Sequence, residues 1–190
     1  MVLSDREIKD LMHAKELIIT GINPRDLYIG PSSMDLHLDN KAKILVNDIP
    51  DGVAIDTKNK ESVDSMFRIH NDWSKLIIYP GEFYILSTKE RMVFPKNVAG
   101  FVHGRSSLAR LGINIHAAGF VDPGFNGTIT LEVTNFTNVP IILYDNMRIC
   151  KMVFIRTGES VETGYSEKQD AKYNGQEGPT LSKIYEDKKY

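Results

Sequence analysis

The strongest constraint on the fold is punctuation. Apolar residues between Met34 and Ile155 fall into short runs broken by turn signals such as Pro80-Gly81, Pro95 and Asp122-Pro123-Gly124. Within several runs the period is two: Leu36 and Leu38 alternate with Asp35 and His37, and Ile129, Leu131 and Val133 alternate with Thr128, Thr130, Glu132 and Thr134. Phe83, Ile85 and Leu86 sit beside Tyr84 and Ser87 in another such segment. Further strands are predicted over 42–46, 76–79, 91–94, 98–103, 113–118, 128–134, 141–144 and 147–155. Many short strands with no strand–helix alternation predict an all-β barrel or double-sheet jelly roll.

Two segments depart from that pattern. Ser4-Asp5-Arg6-Glu7 has capping-box spacing, and Ile8, Leu11, Met12 and Lys15 follow at helical intervals, so residues 5–17 are predicted to form an amphipathic helix. Ser106 to Leu111 predicts a short helical turn, which Gly112 ends with a left-handed cap. The stretch from Asn47 to Trp73 is polar and weakly periodic, and is expected to leave the sheet, with Phe67 and Trp73 anchoring it to the sheet or to a neighbouring subunit. From Glu159 onward the chain is polar and aperiodic, as a frayed tail would be.

Composition narrows the chemistry. At 190 residues one domain is expected, divided into a barrel body over 1–158 and a tail over 159–190. With 23 Lys+Arg against 25 Asp+Glu the net charge is −2, so there is no global field to draw in a nucleic-acid polymer or a membrane, and a polyanionic ligand must meet a local cluster. No apolar run reaches the length of a membrane span, and the N-terminus runs straight into charge, so a cytoplasmic location is expected. The one cysteine, Cys150, excludes an internal disulfide framework and any Cys-Cys zinc site, and its apolar run makes it a small core residue. His103 and His116 sit in strand patterns and read as structural histidines.

Chemistry concentrates in two places. Gly104-Arg105-Ser106-Ser107-Leu108-Ala109-Arg110 joins two guanidiniums and two hydroxyls to the free amides of a starting helical turn, a donor set suited to a triphosphate; a Ser-capped surface helix with solvated arginines is the plainer alternative. Ala118 to Gly127 is a Gly/Pro-rich tip that lets backbone approach a ligand closely. The strand after it carries Glu132 on its threonine face. That carboxylate is either solvent-exposed or desolvated in a pocket, where burial raises its pKa toward that of a general base.

Together these segments resemble the dCTP deaminase family of the dUTPase superfamily, in the family's motif order. Gly30 to Leu38 resembles the first motif, Gly104 to Arg110 the second, Ala118 to Glu132 the third and Asp145 to Ile149 the fourth; Ala171 to Gly178 resembles the C-terminal signature. The resemblance implies a distorted jelly-roll barrel forming a homotrimer, with a tail that closes over bound nucleotide. It implies catalysis by Glu132, with Ser106 and the Ala118 carbonyl orienting the attacking water. Arg105, Ser106, Ser107, Leu108, Ala109 and Arg110 would surround the phosphates, and Asp122 would accept from the sugar 3′-hydroxyl. Thr130 and Leu131 would present backbone to the base. From the tail, Lys172 and Gln176 would reach phosphate oxygens, with Tyr165 nearby.

The same resemblance bears on cofactors and products. Zinc deaminases need His-x-Glu and Pro-Cys-x-x-Cys patterns, which one cysteine cannot supply, so no zinc is expected and Glu132 carries water activation. Mg²⁺ would ride on the triphosphate, with Asp35 a weak candidate for the hydrolytic water or a metal. Gly119-Phe120 resembles relatives that also cleave pyrophosphate, whereas deaminases that stop at dUTP have His-Arg there; the Arg105–Asp122 spacing is dUTPase-like. Lys151 departs from the glutamine expected in bifunctional relatives. The expected activity is deamination of dCTP followed by hydrolysis to dUMP and pyrophosphate, supplying dUMP for thymidylate synthesis, with dTTP a possible inhibitor. The alternatives are a monofunctional deaminase releasing dUTP, a dUTPase alone, and a non-catalytic nucleotide-binding module. Glu132 speaks against the last two, because neither needs a carboxylate beside the cytosine amine.

Overall fold

The computed structural model of the chain describes residues 1–115 and 118–187. It opens with helix α1 (Asp5–His13), whose capping box forms as the sequence predicts: the Glu7 N–H donates to Ser4 Oγ, and the Ser4 N–H donates to the Glu7 carboxylate. Ile8 and Leu11 are the residues it buries. The helix ends four residues before the predicted boundary at 17, because Lys15 takes a left-handed φ of 59°. The reversal lets the Leu11 carbonyl accept from both Glu16 and Leu17 N–H and drives Leu17 into the core.

Strands then follow in order: β1 (Ile18–Thr20), β2 (Tyr28–Gly30), β3 (Ser33–His37) and β4 (Lys41–Leu45). Helix α2 (Lys60–Ser65) precedes β5 (Phe67–Asn71), β6 (Lys75–Ile78), β7 (Phe83–Val93) and β8 (Val98–Gly104). Helix α3 (Ser106–Ala109) leads to β9 (Ile113–Ile115), β10 (Phe120–Val121), β11 (Asn126–Asn135), β12 (Ile141–Tyr144) and β13 (Arg148–Arg156). Among the described residues one sheet runs β5-β4-β7-β11-β9, with β1 added to β7, and a second runs β10-β8-β13-β3-β2. β6 and β12 form a separate ribbon. A single apolar core fills the space between the sheets, joining Leu86, Leu131 and Val133 of the first to Met34, Leu36, Met152 and Phe154 of the second. This is the jelly-roll arrangement that the punctuated strands predict.

Several predictions differ from the structure in extent. The segments at 83–86 and 91–94 belong to one strand, β7, because its interior polar residues Ser87, Thr88 and Glu90 are fully buried. The 47–73 excursion contains α2 and β5, and β5 pairs with β4 over Lys41–Asn71 to Leu45–Phe67. Trp73 packs in the core of its own chain. β1, β2 and β10 are two or three residues long, too short for a period to show. His103 is exposed on β8 and is no packed structural histidine, while Cys150 is fully buried as expected. His116, like the end of the 113–118 segment that includes it, lies outside the described residues.

Gly112 takes the left-handed conformation predicted for it, with φ 86°, and a Cβ there would stand 2.1 Å from Thr137 Cγ2. Gly112→Ala therefore carries both backbone strain and a clash. It should cost about 1–3 kcal/mol and lower the thermal midpoint by about 2–4 °C per kcal/mol, read by thermal unfolding.

Candidate active site

A cavity of about 600 Å³ opens on the outer face of the first sheet. Its polar lining includes Ala118, Asp122, Thr130, Glu132 and Gln176, and its apolar lining includes Ile55, Val63, Phe67 and Leu181. β11 makes this possible because alternation sends Leu131 and Val133 into the core, fully buried, and turns Thr130 and Glu132 outward. The cavity is mostly apolar with a few convergent polar groups, the form of a small-molecule site.

Glu132 is the outlier among those groups. Burial pushes its carboxyl above the ordinary value of 4.5, while its own backbone N–H and that of Ala118 draw it partly back. Its Oε2 is buried with no hydrogen-bond partner among the described residues. A desolvated carboxylate in a cavity wall, with one oxygen left unpartnered, is suited to take a proton from a bound water or ligand. Of the two environments open to Glu132 from the sequence, the structure has the pocket.

The cationic segment lies elsewhere on the same chain. Ser106, Ser107, Ala109 and Arg110 of the α3 region are exposed, Leu108 is buried in the core, and none of them lines the cavity. Arg105 turns back to Asp35, which is 2% exposed, with Nε 3.4 Å from the carboxylate, and donates to the Arg148 carbonyl at 3.1 Å. Arg148 Nη1 at 3.1 Å and Lys151 Nζ at 3.7 Å complete the ring around Asp35. Three cations so close oppose a metal ion at that carboxylate, so Asp35 does not fit the metal role considered for it. Among the described residues no group of three or more His, Cys, Asp or Glu is gathered as a metal site.

The tail is docked along β11. Gly175 N–H donates to the Asn126 carbonyl at 2.7 Å, Thr128 N–H to the Gln176 carbonyl at 3.1 Å, and Gln176 Nε2 to the Thr128 carbonyl at 2.8 Å. Tyr165 packs on Phe125 with ring centroids 5.9 Å apart, and its hydroxyl accepts from Tyr173 N–H. Lys172 is paired with Asp187 at 2.6 Å and does not line the cavity. The frayed tail that composition suggests is therefore replaced by backbone pairing, which a polar aperiodic sequence does not advertise.

Of the residues singled out in the sequence, one chain brings together Ala118, Phe120, Asp122, Thr130, Glu132, Tyr165 and Gln176. It does not bring Arg105, Ser106, Ser107, Arg110 or Lys172 to them. Ile55, Thr57, Val63 and Phe67 were missed because they lie in the polar excursion, and Phe83 and Ile85 because they share the ordinary signature of a buried strand. In the tail the available signals were Leu181 and Ile184, apolar residues in a polar run.

The architecture has solved counterparts. The fold aligns with a 2′-deoxycytidine 5′-triphosphate deaminase from Agrobacterium tumefaciens at a TM-score of 0.64 and 21% identity, covering 83% of this chain and 46% of that one, so this chain spans about half its length. It aligns with the EIAV dUTPase at a TM-score of 0.50 and 17% identity, covering 77% and 93%. These likenesses define a dUTPase-like barrel.

Sequence narrows the class further. A model of the dCTP deaminase-like family matches residues 2–157, and this chain belongs to that family. Proteins named dCTP deaminase, dUMP-forming, are 41% identical in Dictyoglomus turgidum over 97% of this chain and 95% of theirs. Those of Persephonella marina and Corynebacterium glutamicum are each 40% identical, over 99% and 99%, and over 97% and 97%.

The raised Glu132 pKa has a stability consequence. The folded state holds this proton more tightly than the unfolded chain, so the contribution is complete below the ordinary glutamate value and is lost as pH rises through the raised one. Glu132→Gln removes that loss: the variant should melt above the parent at about pH 7.5, and the gap should close toward about pH 4. Thermal scans across pH check it.

Proposed function

We propose that the chain deaminates dCTP and carries the product to dUMP, and the observation that carries this reading is Glu132: a carboxylate with a buried, unpartnered oxygen in the wall of a cavity of about 600 Å³. Relatives of nearly full length named dCTP deaminase, dUMP-forming, support the same activity. Water adds to ring carbon 4 of cytosine as Glu132 takes its proton. Glu132 passes that proton to ring nitrogen 3; the proton of the added hydroxyl then moves by way of Glu132 to the amine, and the carbon–nitrogen bond breaks to release ammonia and leave the uracil 4-carbonyl. Ser106 and Ala118 orient that water in this reading. A second water attacks the α-phosphorus and releases pyrophosphate, with Gly119-Phe120 leaving it room. Asp122 holds the sugar, and Thr130 with Leu131 offers backbone to the base.

The phosphates require more than one chain in this reading. Exposed Ser106, Ser107 and Arg110, with Arg105 and Lys172, lie away from the cavity of their own chain, which fits a homotrimer whose sites lie between subunits. Mg²⁺ enters as part of the nucleotide substrate, bound to its triphosphate. Tyr165 and Gln176 line the cavity, which supports the reading that the tail, assigned to 159–190 from the sequence, closes over bound nucleotide. No described helix is long and apolar enough to cross a membrane, and the setting we assign is the cytoplasm.

Incubation with dCTP, reading ammonia and separating dUTP, dUMP and pyrophosphate, tests both steps. Ammonia and dUMP are expected in equal amounts; accumulation of dUTP without pyrophosphate would remove the second step. Glu132→Gln should lower ammonia release by about 100- to 10,000-fold, and parental rates in that variant would overturn the mechanism. A solution mass of one chain with full activity would exclude shared sites.

A further inference from the structure

β7 and β11 change register in the middle of the site-bearing sheet. Thr128 pairs with Arg91 and Thr130 with Ser87, so Ile129 of β11 faces an extra loop of strand, Thr88-Lys89-Glu90, on β7. A bulge of this kind leaves backbone groups without their ladder partners. Each side chain in it is tied down. Lys89 pairs with Asp145 at 2.9 Å, and the Glu90 carboxylate accepts from His37 N–H at 2.9 Å and lies 2.6 Å from His37 Nδ1. Thr88 Oγ1 accepts from Ile129 N–H at 3.0 Å, and the same hydroxyl donates to the Glu90 carbonyl at 3.0 Å.

The Ile129 bond sets which way β11 faces. Since Ile129 N–H points to β7, alternation turns the backbone groups of Thr128 and Thr130 to the opposite edge. At Thr128 that edge is taken by Gln176 of the tail, and from Val133 onward by β9. Between them lies Thr130, beside the cavity and with no neighbouring strand on that edge among the described residues. Glu132 follows two residues on.

We propose that the Thr88 hydroxyl is a positioning residue for base recognition: by holding Ile129 N–H across the β7 bulge it fixes the direction of the Thr130 backbone groups and the phase of Glu132. Thr88 is fully buried and does not line the cavity, so it acts on the site through the strand it holds and not by touching the ligand. The inference rests on the reading above that the cavity takes the cytosine base.

Thr88→Val keeps the volume and removes the acceptor; Thr88→Ser keeps the hydroxyl and removes a methyl group. Steady-state kinetics with dCTP should show kcat/KM reduced about 5- to 100-fold in T88V, mostly through KM, while T88S stays within about threefold of the parent. A T88V that melts lower but keeps the parental KM would assign Thr88 to stability alone and overturn the proposal, as would a T88S as impaired as T88V. Should T88V fail to fold, Thr88→Cys takes its place: the thiol is a weaker acceptor, so a raised KM in T88C beside a parental KM in T88S sustains the proposal, and equal KM values overturn it. Calorimetric binding of an α,β-imido dCTP analogue reads the same ranking without turnover. A parent that binds the analogue but releases no ammonia would fail the deaminase reading and leave the Thr88 test standing; a parent that binds none would overturn both.

Discussion

The pairing of β7 with β11 is the interaction on which the rest depends. It runs from Asn126 and Val93 to Thr134 and Phe83, through the centre of the larger sheet. One side of β11 packs Leu131 and Val133 into the core shared by both sheets, and the other presents Thr130 and Glu132 to the cavity. Period-two geometry thus makes fold and site two faces of one strand. A slip of one residue would bury the carboxylate and expose the core.

Charge is handled by separation. The cavity holds a desolvated glutamate away from any described cation, which keeps it basic enough to take a proton. The guanidiniums are held elsewhere, where buried Asp35 gathers Arg105, Arg148 and Lys151 and so orders cations that would otherwise repel one another. In a shared site between subunits the two regions would meet over one substrate, with the base at the acid and the phosphates at the cations. The near-zero net charge of the chain carries no trace of this division.

The tail shows how backbone pairing can order a polar sequence. Its hydrogen bonds to Asn126 and Thr128 use an edge of β11 that no described strand occupies. Leu181 and Ile184 line the cavity, so the tail contributes to its wall.

Alternation in 128–134, the capping box at Ser4 and the cap at Gly112 were legible from residues alone, because each depends on neighbours a few positions apart. So was Glu132 as a candidate, an acid on a threonine face beside a glycine-rich tip. Tertiary structure alone decided that this acid is desolvated, that Arg105 answers Asp35, and that Phe67 and Val63 of the polar excursion wall the cavity. It also decided that Thr88, an unremarked hydroxyl between Ser87 and Lys89, bonds Ile129 N–H where β7 bulges. Each of these joins residues tens of positions apart, and no local period records such a contact; burial and partner choice exist only once the sheets have closed on one another.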